Sequence, residues 1–171
     1  MAEALDAAIP ARVDALARRV LDEACARRLK LVTAESCTGG LLASLLTDIP
    51  GCSHAFERGF VTYSNDAKRE LLGVPAGLLE SPGPVSEEVA LAMAEGALRN
   101  SRGDISLAVT GFADASPGGE AGLVHFAVGR RGAAARHSRQ RFGPLGRAQV
   151  RIRSLEVSLR LIFEAMNGQR P

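Results

Sequence analysis

What this chain lacks narrows it first. No apolar run approaches the ~18 residues that a membrane-spanning helix needs, although 46% of the residues are hydrophobic, so those side chains are free to build an interior. The segment Met1 to Pro10 carries Glu3 and Asp6 and has neither the basic start nor the apolar centre of a secretory signal, which predicts a soluble, cytoplasmic protein. Cysteine is scarce and odd in number: Cys25, Cys37 and Cys52 in 171 residues predict free thiols in a reducing compartment, because a chain of this size folds without staples. His54, His125 and His137 are scattered and make no zinc-like spacing with the cysteines, so a metal site has little support. No repeat, low-complexity tract or linker divides the sequence, which reads as one domain over residues 10–167 between tails at 1–9 and 168–171.

Acidic residues are also missing from one long stretch. Eight arginines and His137 lie between Arg130 and Arg153, with no carboxylate before Glu156. Such a stretch is either a solvated strand edge and helix face or an anion-binding surface, for a phosphate or a nucleic-acid backbone. Nucleic acid is the weaker of the two anions, since Phe142 is the one stacking ring there.

The hydrophobic spacing predicts an amphipathic helix from Pro10 to about Arg28, with Val13, Leu16, Ala17, Val20, Leu21 and Ala24 on one face. A strand at Leu29–Ala34 precedes an apolar helix at Leu41–Thr47, stopped by Pro50-Gly51. A second strand is expected at Ala55–Thr62. A helix over Asn65–Leu72 follows, with Ser64 as its N-cap and Gly73 as its stop. Ser86 caps another helix that runs to about Arg99. Three strands at Ile105–Thr110, Gly122–Val128 and Ala134–Phe142 then lead to a last helix from Gly146 to Met166. This alternation predicts an α/β fold, a three-layer α/β/α single domain preceded by the amphipathic N-terminal helix. The short link between the last two strands makes them antiparallel and the sheet mixed.

Four segments could carry chemistry. In Glu35-Ser36-Cys37-Thr38-Gly39-Gly40, hydroxyls, a thiol and two glycines lie between a strand and a helix. The unpaired N–H groups of a helix N-terminus can hold an oxyanion or phosphate there; the alternative is that Ser36 or Thr38 is simply the helix cap. In Tyr63-Ser64-Asn65-Asp66-Ala67-Lys68, a desolvated Lys68 could serve as base to a serine and Tyr63 could relay the proton, although both also fit an ordinary surface. The run Thr110-Gly111-Phe112-Ala113-Asp114-Ala115-Ser116-Pro117-Gly118-Gly119 follows an apolar strand, where α/β folds place ligands, or is simply a loop. Arg147 and Arg151 share a face at the start of the last helix. Cations there oppose the helix dipole unless an anion or an acidic partner lies between them.

Taken together, these segments resemble the CinA C-terminal domain family, the nicotinamide-nucleotide amidases also called NMN deamidases. The matching residues are Thr33 to Gly40, then Phe56-Glu57-Arg58-Gly59-Phe60-Val61-Thr62-Tyr63-Ser64-Asn65 with Lys68. Gly73-Val74, Gly83-Pro84-Val85-Ser86, Thr110-Gly111, and Phe142-Gly143 with Arg147 and Arg151 follow in order. The resemblance implies hydrolysis of the carboxamide of nicotinamide mononucleotide, with Ser36 as nucleophile and Tyr63 and Lys68 as its activating partners. It implies a substrate site formed by Thr38, Gly39, Gly40, Thr110 and Gly111, with Arg147 for the phosphate. Cys37 stays open as an alternative nucleophile. The implied partner is a small pyridine nucleotide, with no metal, organic cofactor or membrane. A homo-oligomer is left open. One loop departs from the family's Gly-Ile-Ala-Gly-Pro-x-Gly-Gly: Asp114 and Ala115 stand where a glycine and a proline are expected. A carboxylate there would repel a phosphorylated substrate, so the alternative expectation is a non-catalytic nucleotide-binding module.

Overall fold

Two largely apolar stretches, buried throughout except at Gly111, become the centre of the sheet. In the computed structural model, which describes residues 9–168, β1 (Leu31–Glu35) and β3 (Ile105–Gly111) lie side by side and parallel, with Leu31 opposite Ile105 and Glu35 opposite Val109. The tails expected at 1–9 and 168–171 fall almost wholly outside the described residues. Strand β2 (Phe56–Val61) pairs parallel to β1 on its other side. Strands β4 (Leu123–Arg130) and β5 (Arg136–Arg141) extend the sheet antiparallel from β3. The order β2-β1-β3-β4-β5 is the mixed sheet that the short final link implied.

Successive side chains alternate between the faces, and each face of the sheet is covered by helices. Leu31, Ile105, Leu107 and Val128 pack with α1 (Ala11–Ala26), α2 (Leu41–Asp48) and α6 (Arg147–Asn167). Val13, Ala17, Val20 and Ala24 of α1 and Leu155 and Leu159 of α6 are fully buried in that layer, each leucine contributing roughly 1.5–3 kcal/mol of burial. Val32, Ala34, Ala108 and Ala127 point the other way. They meet α3 (Asn65–Leu72), α4 (Ala76–Glu80) and α5 (Glu87–Arg99). The chain is therefore a three-layer α/β/α fold with the amphipathic helix α1 at its start.

Besides strand ends that shift by one or two residues, as in β4 and β5, three differences from expectation have a clear physical reason. The first strand begins two residues late, because Arg28 turns into positive φ and the Leu29 N–H still donates to the Ala24 carbonyl of α1. Helix α4 was not foreseen, being a single turn between Pro75 and Ser81 with one buried anchor, Leu79. Cys25 and Cys52 are not free thiols: the end of α1 and the loop after α2 bring their Cα atoms to 6.2 Å and the two form a disulfide, a separation that suits such a bond.

Helix α5 fixes α3 through its C-terminal carbonyls. Arg99 Nη2 donates to the Leu72 carbonyl at 3.1 Å, and Asn100 Nδ2 donates to that of Leu71 at 3.2 Å. The helices approach so closely that a Cβ at Gly96 would overlap the Leu72 carbonyl oxygen. Gly96→Ala is therefore expected to destabilise the fold by about 1–3 kcal/mol despite alanine's better helix propensity. Urea denaturation measures this, and an unchanged or raised midpoint would contradict the packing.

Candidate active site

Parallel strands β1 and β3 end beside each other where the connections diverge: the chain leaves β1 toward α2 and β2, and returns to β3 through α3, α4 and α5. In open α/β sheets that switch point leaves a crevice at the carboxyl ends. A cleft of about 270 Å³ lies there, lined by Ser36, Cys37, Tyr63, Lys68, Thr110, Gly111, Asp114 and Arg147 together with neighbouring loop residues.

Ser36 follows β1 directly, and its N–H extends the sheet by donating to the Val109 carbonyl at 3.0 Å. The turn that follows is made by Gly39 and Gly40, both at positive φ, a conformation that residues with a Cβ seldom adopt. Helix α2 then starts with no cap from Ser36 or Thr38. Its cap is Glu35, the last residue of β1 and completely buried. The Glu35 carboxylate accepts from the N–H groups of Gly40 (3.1 Å), Leu42 (3.0 Å) and Ala43 (2.8 Å), and Thr33 Oγ1 lies at 3.3 Å. Three of the donors that a helix start leaves orphaned are thereby satisfied by one negative group at the positive end of the helix.

This cap redraws the expected substrate site. The Gly40 N–H is taken by Glu35, and the Gly39 N–H donates to the Ser36 carbonyl at 3.1 Å. Thr38 is fully buried, and neither it nor the two glycines lines the cleft. Thr110 and Gly111 do line it. Thr110 Oγ1 donates to the Pro84 carbonyl at 2.8 Å, which draws the Pro84-Val85 loop over the cleft. That wall was not foreseen as part of the site.

Lys68 is the largest fully buried side chain on the α5 side of the site, at 2% exposure. Ser64 starts its helix by accepting from the Ala67 N–H at 3.0 Å, and Gly73 ends it in the left-handed conformation. Lys68 Nζ lies 3.0 Å from Ser36 Oγ, 2.8 Å from the Thr62 carbonyl and 3.2 Å from the Tyr63 carbonyl. Burial lowers its pKa from the usual 10.5 to about 8, since taking an ammonium out of water favours the neutral amine. Tyr63 enters this arrangement through its carbonyl. The residue is 68% exposed, and no partner of its hydroxyl is found among the described residues. Cys37 lies beside Ser36, but burial pushes its thiol up to about 12, the reverse of an activated thiolate.

The two arginines expected to act together are separated. Arg147 lines the cleft, whereas Arg151 Nη2 donates to the Thr38 carbonyl at 2.9 Å and braces the turn from behind. Other arginines of the basic stretch are also engaged in the scaffold. Arg130 donates to the Ala165 carbonyl, Arg131 to those of Leu98, Ser101 and Gly103, and Arg141 pairs with Glu120. Among the described residues no His, Cys, Asp and Glu side chains gather in a metal-holding group, and no helix is long and apolar enough to cross a membrane.

The lowered pKa of Lys68 has a thermodynamic consequence. Between about pH 8 and 10.5 the unfolded chain holds a proton at this lysine that the folded chain has released, so stability rises with pH across that window. Relative to Lys68→Met, which has no such titration, the wild-type protein should gain on the order of 3 kcal/mol from pH 8 to 10.5. Parallel denaturation curves measure the difference, and a constant difference would mean that Lys68 is not depressed.

Comparison with known proteins identifies the family and the fold. A family model described as the CinA C-terminal domain matches residues 13–166. A putative competence-damage inducible protein of Symbiobacterium thermophilum is 52% identical over 122 residues, covering 70% of this chain and 27% of that protein. A CinA-like protein of Chlorobium phaeovibrioides is 41% identical over 158 residues, covering 88% of this chain and 37% of that protein. The chain thus spans little more than a third, or less, of the length of these curated relatives. The crystal structure of the competence/damage inducible protein CihA from Agrobacterium tumefaciens superposes with a TM-score of 0.88 at 42% identity, covering 93% of this chain and 98% of that one. Family match, sequence relatives and fold converge: the chain belongs to the CinA C-terminal domain family.

Proposed function

We propose that this cleft hydrolyses the carboxamide of nicotinamide mononucleotide to nicotinate mononucleotide and ammonia, with Ser36 as nucleophile and Lys68 as its base. The observation that carries this reading is the 3.0 Å approach of Lys68 Nζ to Ser36 Oγ in a buried setting. In its neutral form the amine has two N–H groups and one lone pair. The Thr62 and Tyr63 carbonyls accept the two N–H groups, which turns the lone pair toward the Ser36 hydroxyl. A pKa of about 8 lets a sizeable fraction of the amine be neutral near pH 7, where an ordinary lysine would be almost wholly charged.

Ser36 Oγ attacks the carboxamide carbon as Lys68 takes its proton. The tetrahedral intermediate collapses with cleavage of the C–N bond, and the protonated amine returns the proton so that ammonia leaves. Water then attacks the acyl-Ser36 ester with Lys68 again as base. With the Gly39 and Gly40 N–H groups committed elsewhere and Thr38 buried away from the cleft, the oxyanion falls to the N–H group of Cys37. No carbonyl or carboxylate among the described residues accepts from it, and a donor of this kind contributes on the order of 3 kcal/mol. Arg147 is the cation available to the phosphate. A purely nucleotide-binding module would have no use for a desolvated lysine against a serine hydroxyl.

Ser36→Ala and Lys68→Met are each expected to lower ammonia release from nicotinamide mononucleotide by about 10³-fold or more, whereas Cys37→Ala should stay within a few-fold of wild type. For the wild-type protein kcat/KM should climb with pH and level off above about 8, since only the neutral amine is a base. Turnover by Ser36→Ala at the wild-type rate, or a rate that falls as pH rises toward 8, would overturn this assignment.

A further inference from the structure

Besides the amine of Lys68, the cleft carries two formal charges of opposite sign, Arg147 and Asp114. Among the described residues neither has an ion-pair partner. Asp114 is held in place. The Ala115 N–H donates to its Oδ1 at 2.8 Å. The loop around it is closed by hydrogen bonds from Phe112 N–H to the Leu123 carbonyl (2.9 Å), Gly122 N–H to the Phe112 carbonyl (2.8 Å) and Gly119 N–H to the Ser116 carbonyl (2.9 Å). A Cβ at Gly119 would come within 2.7 Å of the Phe112 ring, so this glycine lets the ring lie against the loop backbone. Phe112 lines the cleft as well. One braced loop therefore presents a carboxylate and an aromatic ring to the space that contains Ser36 and Lys68.

A carboxylate in a cleft meant for a phosphate is a penalty unless the ligand brings a positive charge to it. The nicotinamide ring of the oxidised mononucleotide is such a group: a quaternary pyridinium that bears the scissile carboxamide. Resting on the substrate reading above, we infer that Asp114, with Phe112, recognises the cationic pyridinium ring and makes this site selective for zwitterionic, oxidised pyridine nucleotides over amides with an uncharged ring. The carboxylate attracts the ring's charge, and the face of Phe112 favours a cation laid against it. Arg147 meets the phosphate, so the cleft complements both ends of the ligand. A neutral-ring analogue would gain nothing from Asp114 and would still feel its repulsion for the phosphate, a discrimination by penalty as well as by attraction.

The probes are nicotinamide mononucleotide and its dihydro form, which keeps the carboxamide, ribose and phosphate but has an uncharged ring. Calorimetric titration of the Ser36→Ala protein, with Asp114 intact and with Asp114→Asn added, gives the ratio of the two Kd values without turnover. Asp114→Asn should shrink the preference for the oxidised form by about fivefold, the scale of one partly solvated charge pair. That change should come from weaker binding of the pyridinium compound, while the dihydro compound binds equally well or better. The dihydro arm also reports a misfolded variant, which would lose both ligands. An unchanged ratio overturns the inference, even if the wild-type protein is an active amidase. Charge discrimination that depends on Asp114 in a protein that releases no ammonia would leave it standing and remove the amidase reading. Failure of both ligands to bind the Asp114-intact protein would remove the two together.

Discussion

One buried carboxylate sets the geometry on which the site depends. Glu35 closes β1 and, through three backbone N–H groups, opens α2. Strand end and helix start are thereby held at a fixed distance, and the five residues between them have little freedom left. Hydrogen bonds to a charged acceptor are worth roughly 1.5–3 kcal/mol each, so the turn is among the most strongly held backbone in the molecule. Arg151 braces its other side at the Thr38 carbonyl. Ser36 is thus presented by a rigid frame, which suits the role of nucleophile proposed for it, where small misplacements lower the rate.

The second constraint is the burial of Lys68. A lysine so nearly buried is costly to the fold, and it is kept here by acceptors that suit both of its protonation states. Charged, its three N–H groups have Ser36 Oγ and the Thr62 and Tyr63 carbonyls within reach. Neutral, it keeps the two carbonyls and offers its lone pair to the serine. Its position comes from tertiary structure: α3 is fixed at its N-terminus by Ser64 and at its C-terminus by the close passage of Gly96 and Arg99. Packing far from the cleft therefore decides how near Nζ lies to Oγ.

Much of this was legible in the sequence because it is local. The period of α1, the Ser64 cap with its Gly73 stop, and the apolar runs that became β1 and β3 are short-range patterns, and the motifs around Ser36, Tyr63 and Lys68 are long enough to carry a family resemblance. What was not legible depends on partners distant in sequence. Nothing in Glu35-Ser36-Cys37-Thr38-Gly39-Gly40 says that the glutamate rather than a hydroxyl caps α2, although a lone acid at the end of a buried strand is a signal of an internal partner. Arg147 and Arg151 look equivalent one turn apart, yet one faces the cleft and the other a carbonyl 113 residues away. The pairing of Cys25 with Cys52 requires knowing that α2 folds back on α1. The role of the Pro84-Val85 loop likewise appears only once Thr110 is beside it.

In the proposed mechanism Ser36, activated by Lys68, becomes covalently acylated by a pyridine-nucleotide carboxamide. The most direct measurement is mass spectrometry of the wild-type protein quenched in acid during turnover of nicotinamide mononucleotide, with digestion to locate any adduct. The mechanism requires a nicotinoyl-mononucleotide ester on Ser36, absent from Ser36→Ala and accumulating far more slowly in Lys68→Met. An adduct on Cys37, or ammonia release at the wild-type rate from a protein that cannot be acylated at Ser36, would contradict it.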